Sequence, residues 1–154
     1  MRKYKKGFSL LEVVIVIAIV AVMSSIGVGF YVNYNKNVEI DSVAKIIIFD
    51  LKQVQSKAMI GEGGFKWGIH FANAADDYYE IFSTPTDYSN GAKVIVSTNY
   101  LSSGATFSDP ATDMTKDIIF NKISGGTSAS SVAIVAGSST KTISVSSIGN
   151  VSVQ

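Results

Sequence analysis

A single carboxylate, Glu12, stands in an otherwise uncharged stretch that runs from Phe8 to Asn35. An acidic side chain at the centre of a bilayer costs roughly 2.5 to 3.5 kcal/mol on insertion scales, so an acid in such a run marks function by default. Three fates are open to it: a cation supplied by a partner, neutralisation by protonation, or snorkelling to the nearby interface. The other polar residues offer weaker chemistry. His70 is the only histidine and falls mid-strand, where a surface or interface position is expected rather than a general base, and no Ser-His-Asp spacing surrounds it. Asp76-Asp77 and the pair Asp109 and Asp113 could offer oxygen ligands to calcium, but the EF-hand spacing is missing. Gly61 to Gly64 lacks the Lys-Ser/Thr of a phosphate loop. The chain has no cysteine, which excludes a disulfide, a thiolate nucleophile and a zinc-thiolate site. The expectation is a chain that is not an enzyme and holds neither metal nor cofactor. Tyr78, Tyr79 and Tyr88 are the better candidates for contacts with other chains.

The elements that position these residues follow from periodicity. Four basic residues, Arg2, Lys3, Lys5 and Lys6, precede the apolar run, and none follows until Lys36. By the positive-inside rule the N-terminus stays cytoplasmic and the rest is exported. About 20 apolar residues at 1.5 Å rise cover a ~30 Å hydrocarbon core, so the run is long enough to span. Ser25-Ile26-Gly27 carries small residues at a signal-peptidase spacing, yet the run exceeds an ordinary secretory h-region, and the Gly7-Phe8 junction accounts for the leader better. Ile40, Val43, Ile47, Leu51, Val54 and Ala58 recur at spacings of three and four, one apolar stripe of a helix, with Ile46, Ile48 and Phe49 widening it. Gly61, Gly63 and Gly64 end that helix. A helix from Phe8 to Ile60 would be about 80 Å long. Gly27 and Gly29, inside it, are the expected place for a bend.

After Gly64 the period changes to two. Residues 66–71, 78–83, 93–97, 117–120, 131–135 and 140–145 read as strands rich in β-branched and aromatic side chains, with a tight turn at Ile148-Gly149-Asn150-Val151 before a short last strand. Asn90-Gly91 and Gly137-Ser138-Ser139 are turns, Tyr100 to Lys116 reads as a loop, and Gly125 to Ser130 as a flexible connection. The fold class is α+β: a long N-terminal helix, transmembrane in its first half and amphipathic in its second, packed on a C-terminal antiparallel β-sheet. The expected divisions are a leader (1–7), a first helix half (8–34), an amphipathic half (35–60) and a β-sheet head (65–154).

Gly7-Phe8-Ser9-Leu10-Leu11-Glu12, with a basic leader before it and Val13 to Val32 after it, resembles the class III signal of type IV pilins and type II secretion pseudopilins. The resemblance rests on residues 5–34 and implies the pilin fold. It implies that a prepilin peptidase cuts between Gly7 and Phe8, that Phe8 is then N-methylated, and that Glu12 of an incoming subunit pairs with the Phe8 amine of one already in a filament. An unpartnered buried carboxylate is strongly disfavoured, so such pairing would drive docking and set the axial register. It also implies an assembly ATPase, an inner-membrane platform protein and other pilin subunits as partners. The chain would sit as a single-pass inner-membrane protein before assembly, and in a pilus or pseudopilus afterwards. Removing residues 1–7 would leave 9 Lys+Arg against 12 Asp+Glu, or −3, and no Lys or Arg follows Lys141, so no nucleic-acid partner is expected.

Trp67-Gly68 on the first strand and the closing Ile143-Ser144-Val145…Ile148-Gly149-Asn150-Val151 look like the minor pseudopilins of the H type (general secretion pathway protein H) and fimbrial-protein-T-like chains. That points to a minor subunit that primes assembly or sits at the tip. The alternatives are a major pilin of the shaft, serving adhesion, motility or DNA uptake, and a membrane-anchored binding domain that never polymerises.

Overall fold

A computed structural model describes residues 7–102 and 104–154; within the helix, the side chains of residues 25–30 and 33 also lie outside the description. The basic leader residues Arg2, Lys3, Lys5 and Lys6 therefore fall outside the described residues. One helix, α1, runs from Leu10 to Ile60 over 51 residues. The chain divides into two compact units, 1–35 and 36–154. Helical structure is assigned through Gly27 and Gly29, and the bend expected there falls among the undescribed side chains. Among the described residues no helix is long and apolar enough to cross a membrane. The part of the apolar run whose side chains are all described, 10–24, is shorter than the ~20 residues a span requires.

In the second unit, α1 ends as its sequence dictates. Gly61 adopts φ 69°, a left-handed conformation that a residue with a Cβ enters at a cost, and its N–H donates to the Ala58 carbonyl at 3.1 Å. The helix is followed by β1 (Lys66–Ala72), β2 (Tyr78–Thr84), β3 (Val94–Tyr100), β4 (Thr106–Asp109), β5 (Thr115–Phe120), β6 (Ser130–Ala136), β7 (Ser139–Val145) and β8 (Val151–Val153). The antiparallel strands form two four-stranded sheets, in the orders β3-β2-β1-β5 and β4-β6-β7-β8. The chain thus lays three strands in the first sheet, one in the second, returns to the first for β5, and ends with three in the second.

Five of the six expected stripe residues of α1, Ile40, Ile47, Leu51, Val54 and Ala58, together with Ala44, join one core with Trp67, Ile69 and Phe71 of β1, Ile118 and Phe120 of β5, Phe107 of β4, and alternate residues of β6 and β7, while Val43 packs against it partly buried. Both sheets contribute to that core. Ile46 and Phe49 do not; both are exposed. Trp67 points inward, its indole N–H donating to the Glu62 carbonyl at 3.0 Å, with Lys57 Nζ 4.3 Å from the ring centre. The next residue must be glycine, because a Cβ at Gly68 would lie 2.8 Å from the Ile118 carbonyl and 2.9 Å from the Phe82 ring.

Two expectations are corrected. The segment from Tyr100 to Lys116 is not all loop: it holds β4 and the start of β5, and four residues reading Thr-Phe-Ser-Asp are too short to show a period. The Gly125 connection is anchored rather than loose: Gly125 is buried, and Gln55 Nε2 donates to its carbonyl at 3.1 Å.

Candidate functional site

The first unit opens with Gly7, Phe8 and Ser9 outside the helix. The Ser9 carbonyl accepts the N–H groups of Glu12 (3.0 Å) and Val13 (3.2 Å), which starts α1. Phe8 and Glu12 are four residues apart and line one groove with Val13, Val16 and Ile17. A positive charge created at the Phe8 backbone would therefore arise beside the same groove as the carboxylate. Phe8 is 83% exposed, and the apolar side chains described between Leu10 and Met23 are exposed on every side of the helix. A helix that is apolar all round is stable only when lipid or other helices cover it. The carboxylate of Glu12 sits on that same uncovered surface.

The head carries a second polar constellation that sequence reasoning underestimated. Thr98, Glu80, His70 and Asp117 form one row across four strands: His70 is paired in register with both Glu80 and Asp117, and Glu80 with Thr98. His70 Nδ1 lies 2.5 Å from Asp117 Oδ1, and Thr98 Oγ1 donates to Glu80 at 3.1 Å. The loop between β2 and β3 folds over this row. Tyr88 stacks on His70 with ring centres 3.6 Å apart and planes 3° from parallel, and its hydroxyl donates to Glu80 at 2.5 Å. Lys93 Nζ covers the other side, 3.5 Å from the Tyr88 ring centre. Burial, and then the bond to Glu80, push the Tyr88 phenol above its ordinary pKa, so the hydroxyl remains a donor.

The surface position expected for His70 is thus overturned: it is 5% exposed because a loop, invisible to strand periodicity, lies on it. Tyr79 is likewise not free for contacts with other chains. Tyr79 is buried and donates to Asp50 at 2.7 Å, and burial followed by that bond raises its pKa. Tyr78, which leans on the exposed Tyr100 with ring centres 5.8 Å apart, is half-buried, as is Tyr88.

One member of each acidic pair serves the fold. Asp77 accepts from the N–H of Ala74 (3.0 Å) and of Phe107 (2.7 Å), and Asp109 is paired with Lys116. Among the described residues no group of three His, Cys, Asp or Glu side chains is arranged to hold a metal ion. His70 and Asp117 form a dyad, but no serine hydroxyl among the described residues bonds to His70.

Comparison with known proteins bears on the first unit. Residues 2–28 match the family model of the prokaryotic N-terminal methylation motif. No match was found among curated proteins or among solved structures. The chain therefore carries a type IV pilin-like prepilin signal. That signal supports a pilin or pseudopilin subunit in general, and such a subunit is a structural component.

Proposed function

We propose that the protein is the precursor of a filament subunit of the type IV pilin and type II secretion pseudopilin kind. The observation that carries this reading is the methylation motif over residues 2–28, at the head of a helix whose described apolar side chains from Leu10 to Met23 are uncovered on every side. In this reading the chain spans the inner membrane once through its Phe8 to Asn35 run, with the leader of Arg2, Lys3, Lys5 and Lys6 in the cytoplasm. A prepilin peptidase cuts after Gly7, and Phe8 becomes the N-methylated first residue. Glu12 pairs with the Phe8 amine of a neighbouring subunit, and the apolar helix surface passes from lipid to other helices. Both charges leave water together, so an unpaired Glu12 is the costly state and pairing fixes the register. Gly27 and Gly29 let the helix bend as it is packed. An assembly ATPase and a membrane platform protein drive the transfer.

We assign the protein the minor, priming or tip role and the H type, supported by the Trp67-Gly68 strand and by the β7–β8 closure through Gly149. The test is mass spectrometry of the N-terminus in cells that hold the peptidase, together with the content of sheared filaments. A chain that begins at methylated Phe8 is expected. Glu12→Ala is expected to be cut normally yet to be absent from filaments. An intact Met1 overturns the reading, and undiminished incorporation of Glu12→Ala overturns the pairing role of Glu12; absence of the parent chain from filaments, with function intact in Glu12→Ala, leaves a non-polymerising anchor in its place. Scarcity in filaments with loss of assembly on deletion marks the minor role; dominance in filaments marks a major pilin.

A further inference from the structure

We propose that the cleft between the β1–β2 turn and the segment that follows β3 binds a neutral, hydroxyl-rich sugar ring. The cleft has a volume of about 560 Å³, within the roughly 300–1,000 Å³ of small-ligand sites. Its walls are braced together: the Asp77 carboxylate holds the N–H of Phe107 at 2.7 Å, and the Asp77 carbonyl accepts the Leu101 N–H at 2.9 Å. Ser102, on the second wall, donates to Glu39 of α1 at 2.6 Å. Such cross-bracing gives a cleft shaped before a ligand arrives.

Asn73 supplies the feature that points to a ligand. It is 8% exposed, and its Nδ2 is fixed by the carbonyls of Phe107 (3.0 Å) and Pro110 (2.8 Å). Two acceptors on one side of the amide dictate its orientation, so Oδ1 faces the other way. Oδ1 has no hydrogen bond among the described residues, and no buried polar side-chain atom is left unpaired, so Oδ1 meets solvent, and Asn73 lines the cleft. It is an acceptor waiting for a donor. On the rim, Asp76 is exposed and without a partner among the described residues, while Tyr100, tilted against Tyr78 on one side, is 68% exposed as a residue. Leu101 and Ala105 complete an apolar side.

The chemistry selects the ligand. Among the described residues no Lys, Arg or His lines the cleft, which disfavours anions. The deep acceptor is a neutral amide, and the charge of Asp77 is already engaged by two backbone N–H groups, which disfavours a buried cation. What remains is a ligand with hydroxyl donors on its edge and a C–H face to lie on Tyr100. Sugar rings have both. This inference is independent of the filament reading.

The test is saturation-transfer NMR on the full chain in phosphocholine micelles, free of glycoside detergent. The probes are the methyl glycosides of glucose, galactose, mannose and N-acetylglucosamine, with lysine methyl ester as the cationic control. Transfer is expected to the ring protons of at least one sugar. Asp76→Ala is expected to weaken binding at least about tenfold, the worth of one charge-assisted hydrogen bond, and Tyr100→Ala, which removes the stacking ring, to weaken it measurably, while the amide spectrum of both, at exposed positions, stays folded. No transfer to any of the four sugars, transfer unchanged in both variants, or transfer to the lysine ester alone overturns the proposal.

Discussion

Two single residues carry predictions of opposite sign. Ile123 adopts φ 68°, a left-handed conformation that costs an L-residue roughly 1–2 kcal/mol and is an outlier for a β-branched one. It holds that shape so that its N–H can reach the Ala58 carbonyl at 3.1 Å, and its side chain, 81% exposed, recovers almost nothing by burial. Ile123→Asn keeps the backbone bond and tolerates the conformation. It should stabilise the head by about 1 kcal/mol, read as a melting-temperature rise of a few degrees by near-ultraviolet circular dichroism. Tyr88 works the other way. Its phenol is shifted upward from the ordinary 10.0 by burial and by its bond to Glu80, so the folded state holds its proton longer than the unfolded chain does. Its contribution is full below pH 10 and is lost as pH rises above that value, because the unfolded chain ionises first. Tyr88→Phe should therefore cost about 1–3 kcal/mol near neutrality, and the gap to the parent protein should narrow in denaturant titrations run at increasingly alkaline pH. A gap independent of pH would show that the hydroxyl contributes through packing alone.

Among the elements, α1 and β1 give the sharpest tests. Leu51 is wholly buried in the stripe, and Leu51→Ala should cost about 2–5 kcal/mol, through lost transfer energy and the cavity left behind. Gly68→Ala should cost about 1–3 kcal/mol by overpacking, since its Cβ would meet the backbone of β5 as well as a ring that could shift. Urea titration of each variant checks both. These two positions also mark what could be read from the sequence. The stripe of α1 was legible because a period of three and four is local, and six strands were legible because β-branched alternation is local too. The glycines at the helix end were legible because a left-handed turn has few tenants. The division into two sheets was not, because the choice between β1 and β6 as a neighbour is made by residues dozens of positions apart. The burial of His70 was hidden for the same reason: Tyr88 covers it from a loop whose path no period announces. The candidate cleft at Asn73 joins two loops, and nothing in either segment alone marks it.

At the level of the whole molecule, the order of strands matters more than their number. Sheet one is complete only when β5 arrives from beyond β4, and sheet two begins with β4 and closes with β8. Ending the chain after Ser147 removes β8, leaves β7 as an open edge and takes away Gly149, whose backbone packs against Gln55 and the Gly125 carbonyl. The expected loss is about 2 kcal/mol or more, with a broadened thermal transition recording the loss of cooperativity. Retention of a sharp transition would show that the first sheet and α1 fold without the second.

That interlacing has a consequence for a polypeptide delivered amino end first. A fragment that stops short of β5 owns no finished layer, so neither sheet can seal before the chain has come back from β4. The first layer can close once Phe120 has emerged, and the second only when β6, β7 and β8 have joined β4. An emerging chain stalled short of that point would present raw edges, and a quality-control protease could tell it from a finished one.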